Sequence, residues 1–280
     1  MTKIGVLGAG TWGMALARML CISGNEVTVW SALPREVEEF SATRRHPNLP
    51  GMVIPEELLF TMTEIIADEL KNPTVKLVAL SGPTHAEEVA KDLPTTIVSA
   101  CADMEAAKFV QEVFGNTCMR VYTNDDVRGV ELCGAMKNIM ALASGIALGL
   151  GYGDNTKAAL ITRGMAEITR LGTAMGCKSQ TFYGLAGIGD LIVTATSIHS
   201  RNNRCGLLIG QGVAPADAIK QVGMVVEGVN ALPAAMKLAK EYQVEMPLAA
   251  AVNAVVNQGA DPQAAVAKLM ARDQTTEIIH

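Results

Sequence analysis

The chain has 280 residues, a net charge of −5 and an apolar fraction of 49%. This length suits one large domain or two of ordinary size, and the apolar fraction is sufficient for a sizeable core. The negative charge argues against non-specific binding to nucleic acid. The four histidines are too scattered along the chain to predict a metal site, so no metal is expected.

The N-terminal residues predict a cytoplasmic location. They lack the long apolar segment and the cleavage site of a secretory signal, and they lead directly into a strand pattern. None of the six cysteines belongs to a Cys-x-x-Cys pair, which favours buried free thiols. The uncharged run at 138–153 is shorter than the ~20 residues that a membrane span needs, so it predicts a buried helix.

The first 30 residues alternate between strand and helix patterns. Lys3–Leu7 and Glu26–Trp30 predict strands, and the residues at 12–22 between them have helical spacing. A β-α-β unit of this kind predicts a parallel sheet. Further strand patterns follow at 74–82, 95–101 and 118–123, with helical patterns at 83–93 and 103–114.

The pattern becomes purely helical after about residue 125. Long helices are predicted at 125–148 and 154–176, and others at about 200–211, 227–241 and 262–272. The expected organisation is therefore an α/β domain at 1–125 and an all-α domain at 126–280.

The residues at 8–13 form an unbroken G-x-G-x-x-G pattern between the first strand and the first helix. Gly8 permits the tight turn, Gly10 allows close approach of a pyrophosphate, and Gly13 allows close packing of helix on strand. The following helix N-terminus would attract phosphates. The pattern predicts a Rossmann-type sheet and a dinucleotide contacting Gly8, Gly10, Thr11, Trp12 and Gly13. The alternative is a glycine turn without a ligand.

The choice between NAD and NADP depends on the end of the second strand. NAD sites usually carry an acidic residue there, whereas this chain has Trp30, Ser31 and Ala32. Arg35, and further on Arg44 and Arg45, could pair with a 2′-phosphate. The cofactor is therefore predicted to be NADP or NAD, with NADP slightly favoured, unless these arginines are only surface residues.

Five motifs in order resemble those of bacterial-type glycerol-3-phosphate dehydrogenases. They are the glycine pattern at 8–13, SGPTHAEEVAKDLPT at 81–95, GAMKNIMALASGIALGLGYGDNTKAALITRG at 134–164, GLAGIGDLIVTATSIHSRNNR at 184–204 and VVEGV at 225–229. The resemblance covers both ends of the chain and nearly all of its second half.

The resemblance implies that Lys137 is the catalytic proton acceptor. Oxidation of a secondary alcohol needs a base for the hydroxyl proton while hydride leaves the carbon. The apolar run after Lys137 would favour a neutral amine, because burial disfavours the ammonium form. Without the resemblance, a lone lysine near a helix start would be read as a surface or ion-pairing residue.

The resemblance also implies the remaining site residues. Those that would bind the substrate are Gly82, Thr84, Lys137, Asn138, Asp190, Thr194, Ser200, Arg201 and Asn202. Those that would bind the cofactor, beyond the glycine pattern, are Ala86, Arg201, Val225 and Glu227. Arginine offers a planar fork to phosphate oxygens, which suits Arg201. An alternative for Asp190 is a helix N-cap after a glycine turn.

One part of the family pattern is missing from this chain. The family carries, before the SGPT motif, a strand that ends in an A-V-P-S-like turn and a lysine–glycine motif. Here PEELLFT joins directly to MTEIIADEL. Two explanations stay open: the segment is deleted, or these residues are part of a longer polypeptide. Its loss would expose sheet edges and remove an active-site cation.

The implied activity is interconversion of sn-glycerol 3-phosphate and dihydroxyacetone phosphate, which feeds phospholipid synthesis. The partners expected are a small phosphorylated substrate, no nucleic acid and no membrane span, with a homodimer left open. One alternative is a β-hydroxyacid dehydrogenase of similar architecture. The other is a noncatalytic nucleotide-binding or scaffold protein, if the missing segment is truly deleted.

Overall fold

Two units with different secondary structure make up the chain. A computed structural model describes residues 2–7, 11–30, 75–197, 199–274 and 276–277. The first unit comprises Met1–Gly134 and Gly176–Val193, and the second comprises Ala135–Met175 and Thr194–His280.

The strands all lie in the first unit. In the described residues they are β1 (Lys3–Leu7), β2 (Glu26–Trp30), β3 (Ala79–Ser81), β4 (Thr95–Ala100) and β5 (Met119–Asn124). β1 pairs in parallel with β2, and β4 pairs in parallel with β5, whereas β3 is antiparallel to β4. They form one sheet of two strands and one of three, and no strand of the described residues joins β1 to β3.

One apolar core supports both sheets of the first unit. Its helices include α1 (Thr11–Ile22), α2 (Ala86–Val89) and α3 (Met104–Val113). Met19 and Leu20 of α1 are buried in the same cluster as Ile97 of β4, and Val27 of β2 packs against that cluster. Helix α1 therefore contacts side chains from both sheets.

A buried carboxylate anchors helix α4 (Val127–Gly149), which begins in the first unit and continues into the second. Asp126 lies just before the helix and accepts a hydrogen bond from the backbone N–H of Gly129 at 3.0 Å. It also accepts from the Lys178 N–H at 2.9 Å and the Thr181 hydroxyl at 2.7 Å. Asp126 thus caps α4 and fixes the start of α6 (Ser179–Phe182).

Helix α4 is long and apolar enough to span a membrane by length and composition alone. However, 67% of its most apolar window is buried within the protein, as in the core helix of a soluble protein. This burial agrees with the buried helix predicted from the sequence.

Helices make up the rest of the described chain. They are α5 (Asp154–Ala174), a π-helix (Leu185–Gly189), α7 (Asp190–Thr196), α8 (Arg201–Gly210), α9 (Pro215–Val222), α10 (Glu227–Glu241), α11 (Pro247–Gln258) and α12 (Pro262–Met270).

Two pairs of glycines bring α4 and α8 into direct backbone contact. Gly145 and Gly149 lie on α4, and Gly206 and Gly210 lie on α8. A Cβ atom at any of the four positions would overlap a backbone carbonyl oxygen of the facing helix; at Gly145 this oxygen belongs to Asn203. Only glycine lets the two helices approach so closely.

The structure confirms the predicted fold class, a Rossmann-type sheet followed by helices, but with differences in detail. β1 and β2 have the predicted bounds, while β3 is short and antiparallel. It ends just before Gly82 and Pro83, and proline has no N–H with which to extend a ladder. Five helical segments after residue 176 were absent from the predicted helices: α6, the π-helix, α7, α9 and α11.

The cysteines are free thiols, as predicted. Four are buried and Cys118 is half-buried, whereas Cys21 is exposed, contrary to expectation.

Candidate functional site

The start of α1 has the features of a phosphate-binding helix N-terminus. The helix begins at Thr11, directly after a parallel strand, and its first turn contains no acidic residue. Trp12 packs against the core, and Gly13 is half-buried. The first N–H groups of a helix have no intrahelical acceptor and lie at the positive end of its dipole, so this end suits a pyrophosphate.

Some predicted cofactor residues lie outside the described residues. These are Gly8 and Gly10 of the glycine pattern, and Arg35, Arg44 and Arg45 after the second strand.

The loop between β3 and α2 brings together three predicted site residues. Gly82 is buried, and a Cβ atom there would lie 3.1 Å from Ile97 Cα. The Thr84 hydroxyl donates to the Gly82 carbonyl oxygen at 3.2 Å. Ala86 begins α2 at the end of this loop. The loop is thus held against β4 by backbone contact.

Asp190 is buried beside the same loop, with 2% of its surface exposed. A Cβ atom on the preceding Gly189 would lie 3.8 Å from Pro83. The N-cap alternative is wrong, because Asp190 has helical dihedral angles (φ −70°, ψ −33°) and follows a π-helix without a break. Burial, and then the carboxylates of Asp126 and Asp190, raises the pKa of the Cys133 thiol. The Asp190 carboxylate therefore lies close enough to Cys133 of α4 to raise the pKa of its thiol.

Lys137 lies well inside α4, which begins at Val127, so the expectation of a lysine near a helix start is wrong. It is half-buried. A Cβ atom on Gly134, one turn earlier, would lie 3.5 Å from Ser81 Oγ at the end of β3. Lys137 follows Gly134 by about one turn along α4.

Four predicted site residues of the second unit form one hydrogen-bonded cluster. Arg201 forms an ion pair with Glu227, the first residue of α10. Asn202 donates from Nδ2 to Asn138 Oδ1 at 3.0 Å and lies 3.5 Å from Glu227 Oε2. Lys137 is the immediate neighbour of Asn138 in α4, so the cluster lies next to the proposed base.

Gly228 completes this cluster and was not singled out from the sequence. Its backbone N–H donates to Asn202 Oδ1 at 2.8 Å. A Cβ atom at this position would lie 2.5 Å from the Asn138 carbonyl oxygen. The sequence offered one signal: Gly228 lies near the start of a predicted helix, at a position where no β-turn or loop requires a glycine.

The other predicted residues of the second unit are Ser200, Thr194 and Val225. Ser200 is the N-cap of α8, and its hydroxyl accepts from the Asn203 N–H at 3.2 Å. Thr194 is buried in α7 and Val225 is exposed before α10. A serine hydroxyl that accepts as a cap can still donate its proton to a phosphate oxygen.

The two parts of the chain match the two models of one protein family. The C-terminal model of NAD-dependent glycerol-3-phosphate dehydrogenase matches residues 126–267, and the N-terminal model matches residues 3–62 and 59–107. The chain belongs to the NAD-dependent glycerol-3-phosphate dehydrogenase family.

Relatives in this family are similar along the whole chain. A glycerol-3-phosphate dehydrogenase (NAD(P)+) from Lactobacillus delbrueckii subsp. bulgaricus is 57% identical, over 99% of both chains. One from Fusobacterium nucleatum is 43% identical, also over 99% of both chains. The crystal structure of the Coxiella burnetii enzyme is 34% identical, with a TM-score of 0.87 over 97% of this chain and 99% of the other.

A more distant structure shares the fold alone. D-mandelate dehydrogenase with NADH is 14% identical, with a TM-score of 0.55. The predicted family is confirmed, and the alternative of a β-hydroxyacid dehydrogenase has no comparable support.

The missing segment is also confirmed within the family. The N-terminal model matches in two pieces that meet at residues 59–62. The alignment with the L. delbrueckii relative spans 335 positions, whereas this chain has 280 residues, so at least 55 positions (335 − 280) have no counterpart here. The two matched pieces meet within the first unit, where no described strand joins β1 to β3.

Proposed function

We propose that this chain interconverts sn-glycerol 3-phosphate and dihydroxyacetone phosphate with NAD(P)(H). The observation that carries the proposal is the cluster of Asn138, Arg201, Asn202 and Glu227 beside Lys137. It occurs in a chain 57% identical, along its full length, to an enzyme named for this activity. The reaction would supply the glycerol backbone of phospholipids.

Lys137 is the proposed base. As a neutral amine it accepts the proton of the C2 hydroxyl; in the reverse direction its ammonium polarises the ketone and returns the proton. Lys137 is half-buried within α4. Asp190, buried near the preceding turn of α4, is proposed to orient the substrate or Lys137.

Arg201, Asn202 and Ser200 are proposed to hold the substrate phosphate. A guanidinium and two neutral donors suit a dianionic phosphate, and the arginine fork adds orientation. Arg201 forms an ion pair with Glu227 in the described structure. Thr194, Gly82 and Thr84 are the remaining proposed substrate contacts.

The nicotinamide cofactor would accept or supply the hydride. Gly8, Gly10, Thr11, Trp12 and Gly13 would hold its pyrophosphate at the start of α1, which has no competing carboxylate. Ala86, Arg201, Val225 and Glu227 would contact its other parts. We propose NADP or NAD, with the absence of an acidic residue at Trp30 favouring NADP.

The wider setting is proposed from the sequence. The chain would act in the cytoplasm, with domains at 1–125 and 126–280 and no membrane span. A homodimer is compatible with this arrangement.

The test is an absorbance assay of reduced nicotinamide with dihydroxyacetone phosphate, run with NADH and NADPH in parallel. We expect the unmodified chain to consume a reduced cofactor, and Lys137→Met to lower kcat by at least about 100-fold, because general acid–base catalysis is lost. Lys240→Met, at an exposed position in the last turn of α10, is the matched control and should keep full activity. Equal activity of the two variants would exclude Lys137 as the base.

The missing segment supports a second candidate, a nucleotide-binding form without catalysis. At least 55 positions of the alignment with the L. delbrueckii relative have no counterpart here (335 − 280), and the N-terminal model matches in two pieces. In this case the absorbance would stay constant with demonstrably folded protein, while fluorescence titration would still detect bound NADPH. A mass of 29.5 kDa for the intact purified protein would show that the deletion is real.

A further inference from the structure

We infer that Ser144 and Asn203 are positioning residues for the proposed reaction, because both bind the backbone carbonyl oxygen of Ala195 at the end of α7. The inference rests on the proposed function, which supplies the substrate. All three residues belong to the second unit. Ser144 and Asn203 act through α7 and α8, which carry proposed substrate contacts.

The carbonyl oxygen of Ala195 needs hydrogen-bond donors from outside its own helix. Helix α7 ends at Thr196, and the last four carbonyl groups of a helix have no intrahelical N–H partner. Ala195 is 1% exposed, so water has little access to its carbonyl group. Without other donors, this buried oxygen would destabilise the end of α7.

Two buried side chains supply the donors. Ser144 Oγ, on α4, donates to the Ala195 carbonyl oxygen at 3.0 Å. Asn203 Nδ2, on α8, donates to the same oxygen at 2.8 Å. A carbonyl oxygen has two lone pairs, so it accepts from both side chains at once. The end of α7 is therefore held by one donor from α4 and one from α8.

Asn203 also fixes the start of α8. Its backbone N–H donates to the hydroxyl of Ser200, the N-cap of this helix, at 3.2 Å. One residue thus binds the end of α7 through its side chain and the cap of α8 through its backbone. Arg201 and Asn202, two proposed substrate contacts, lie between Ser200 and Asn203 in the chain, so a shift of Asn203 would move them as well.

Ser144 lies on the same face of α4 as Lys137. The two residues are seven positions apart (144 − 137), which is close to two turns of an α-helix and a rise of about 10 Å. Next to Ser144, Gly145 keeps α4 in backbone contact with α8, because a Cβ atom there would lie 2.1 Å from the Asn203 carbonyl oxygen. The donor on α4 is therefore fixed relative to the donor on α8.

The Ala195 carbonyl oxygen is thus a shared anchor for three helices. Thr194, a proposed substrate contact, directly precedes Ala195 on α7. Helix α4 carries Lys137, and α8 begins with Arg201. Loss of a donor at this anchor would change the position of Thr194 and Arg201 relative to Lys137.

The experiment compares Ser144→Ala with a matched control, Ser99→Ala. Ser99 is a buried serine of the first unit whose hydroxyl also donates at 3.0 Å to an alanine carbonyl oxygen, that of Ala107. Both variants remove one hydroxyl donor, so the free energy of unfolding should fall similarly. We expect the dissociation constant of sn-glycerol 3-phosphate, measured by calorimetry, to rise at least about threefold in Ser144→Ala and to stay unchanged in Ser99→Ala.

Two outcomes of this comparison would overturn the inference. One is an unchanged dissociation constant in Ser144→Ala. The other is an equal rise in both variants, because substrate affinity would then follow overall stability and not the position of α7.

Asn203→Leu tests the second donor, because leucine has a similar size but cannot donate. Each single variant leaves the Ala195 oxygen with one donor, whereas the double variant with Ser144→Ala leaves it with none. We therefore expect the double variant to weaken substrate binding by more than the product of the two single effects. A loss equal to that product would mean that the two side chains do not share an anchor, and would overturn the inference.

Hydrogen exchange without ligand separates this inference from the proposed function. In Ser144→Ala the backbone amide of Asn203 should exchange faster than in the unmodified protein, because the end of α7 and the start of α8 are held less firmly. In Ser99→Ala its rate should not change. If the unmodified protein binds no sn-glycerol 3-phosphate, the proposed function fails. An unchanged Asn203 exchange rate in Ser144→Ala would then overturn the inference as well, and a faster rate would support it.

Discussion

Different interactions stabilise the two units of the molecule. In the second unit, α4 and α8 touch through glycines, and the buried Asn202 side chain accepts from the Gly228 N–H. In the first unit, two separate sheets share one apolar core, and a single carboxylate, Asp126, ties α4 to α6. From these two features we expect an added methyl group at Gly145 to destabilise the second unit, and loss of the Asp126 carboxylate to destabilise the first.

The same comparison applies to function. The family segment that is missing lies in the first unit, between the two pieces matched by the N-terminal model. The cluster around Asn138 and Arg201 lies in the second unit. The proposed pyrophosphate contacts lie in the first unit and the proposed substrate-phosphate contacts lie in the second, and the affinity for each ligand can be measured alone.

The largest stability effect is expected where α4 meets α8. Gly145→Ala places a methyl group where the Asn203 carbonyl oxygen lies, and neither helix backbone can withdraw without losing hydrogen bonds. We expect the free energy of unfolding in urea to fall by about 3 kcal/mol, at the upper end for overpacking.

The control for that variant is a glycine with open space around it. A Cβ atom at Gly153 would have no heavy atom within 4 Å, and its φ of −92° is allowed for alanine. Gly153→Ala should leave the free energy of unfolding within about 0.5 kcal/mol of the original. Similar losses for both variants would show that backbone contact does not distinguish the second unit.

In the first unit, we expect Asp126→Ala to lower the free energy of unfolding by about 2 kcal/mol. The change leaves the N–H groups of Gly129 and Lys178 and the hydroxyl of Thr181 without their acceptor. Urea unfolding would measure the loss. Asp261→Ala removes an exposed N-cap that accepts only from Ala264 and should cost about 1 kcal/mol. If the exposed cap proved the more important, Asp126 would not be the anchor of α4.

The elements that could be predicted were those with strong local patterns. β1, α1 and β2 follow alternation, glycines and helical spacing, and α4 and α5 follow long apolar periods. The direction of β3 could not be predicted, because strand pairing depends on residues far apart in the chain. The π-helix at Leu185–Gly189 has no local signal apart from its glycines.

The site was predictable in its residues but not in its hydrogen bonds. The family motifs named Asn138, Arg201, Asn202 and Glu227, which the structure brings together. Gly228 contributes through its backbone, and backbone N–H groups leave no trace in residue types. The helical conformation of Asp190 was likewise hidden, because a glycine turn and a π-helix can share one sequence pattern.

The smallest effect concerns pH and one buried acid of the second unit. Burial raises the pKa of Glu167 to about 7, although hydrogen bonds from the Leu248 and Ala249 N–H groups lower it. The neighbouring guanidinium groups of Arg170 and Arg163, on the same helix, lower it further. The folded protein thus holds a proton that the unfolded chain releases at a pH of about 4.5.

The sign of the pH effect follows from that difference. Stabilisation by protonated Glu167 is complete below the unfolded pKa and is lost as the pH rises towards about 7. In the unmodified protein, we expect the free energy of unfolding to fall on the order of 1 kcal/mol between about pH 5 and about pH 7. Glu167→Gln should not show this fall, because the glutamine side chain stays neutral at both pH values. Urea titrations at both pH values measure this slope. Glu241→Gln, at an exposed position in α10, should retain it. A Glu167→Gln slope equal to that of the unmodified protein would mean that Glu167 is already ionised when it caps α11, and that the second unit tolerates a buried charge.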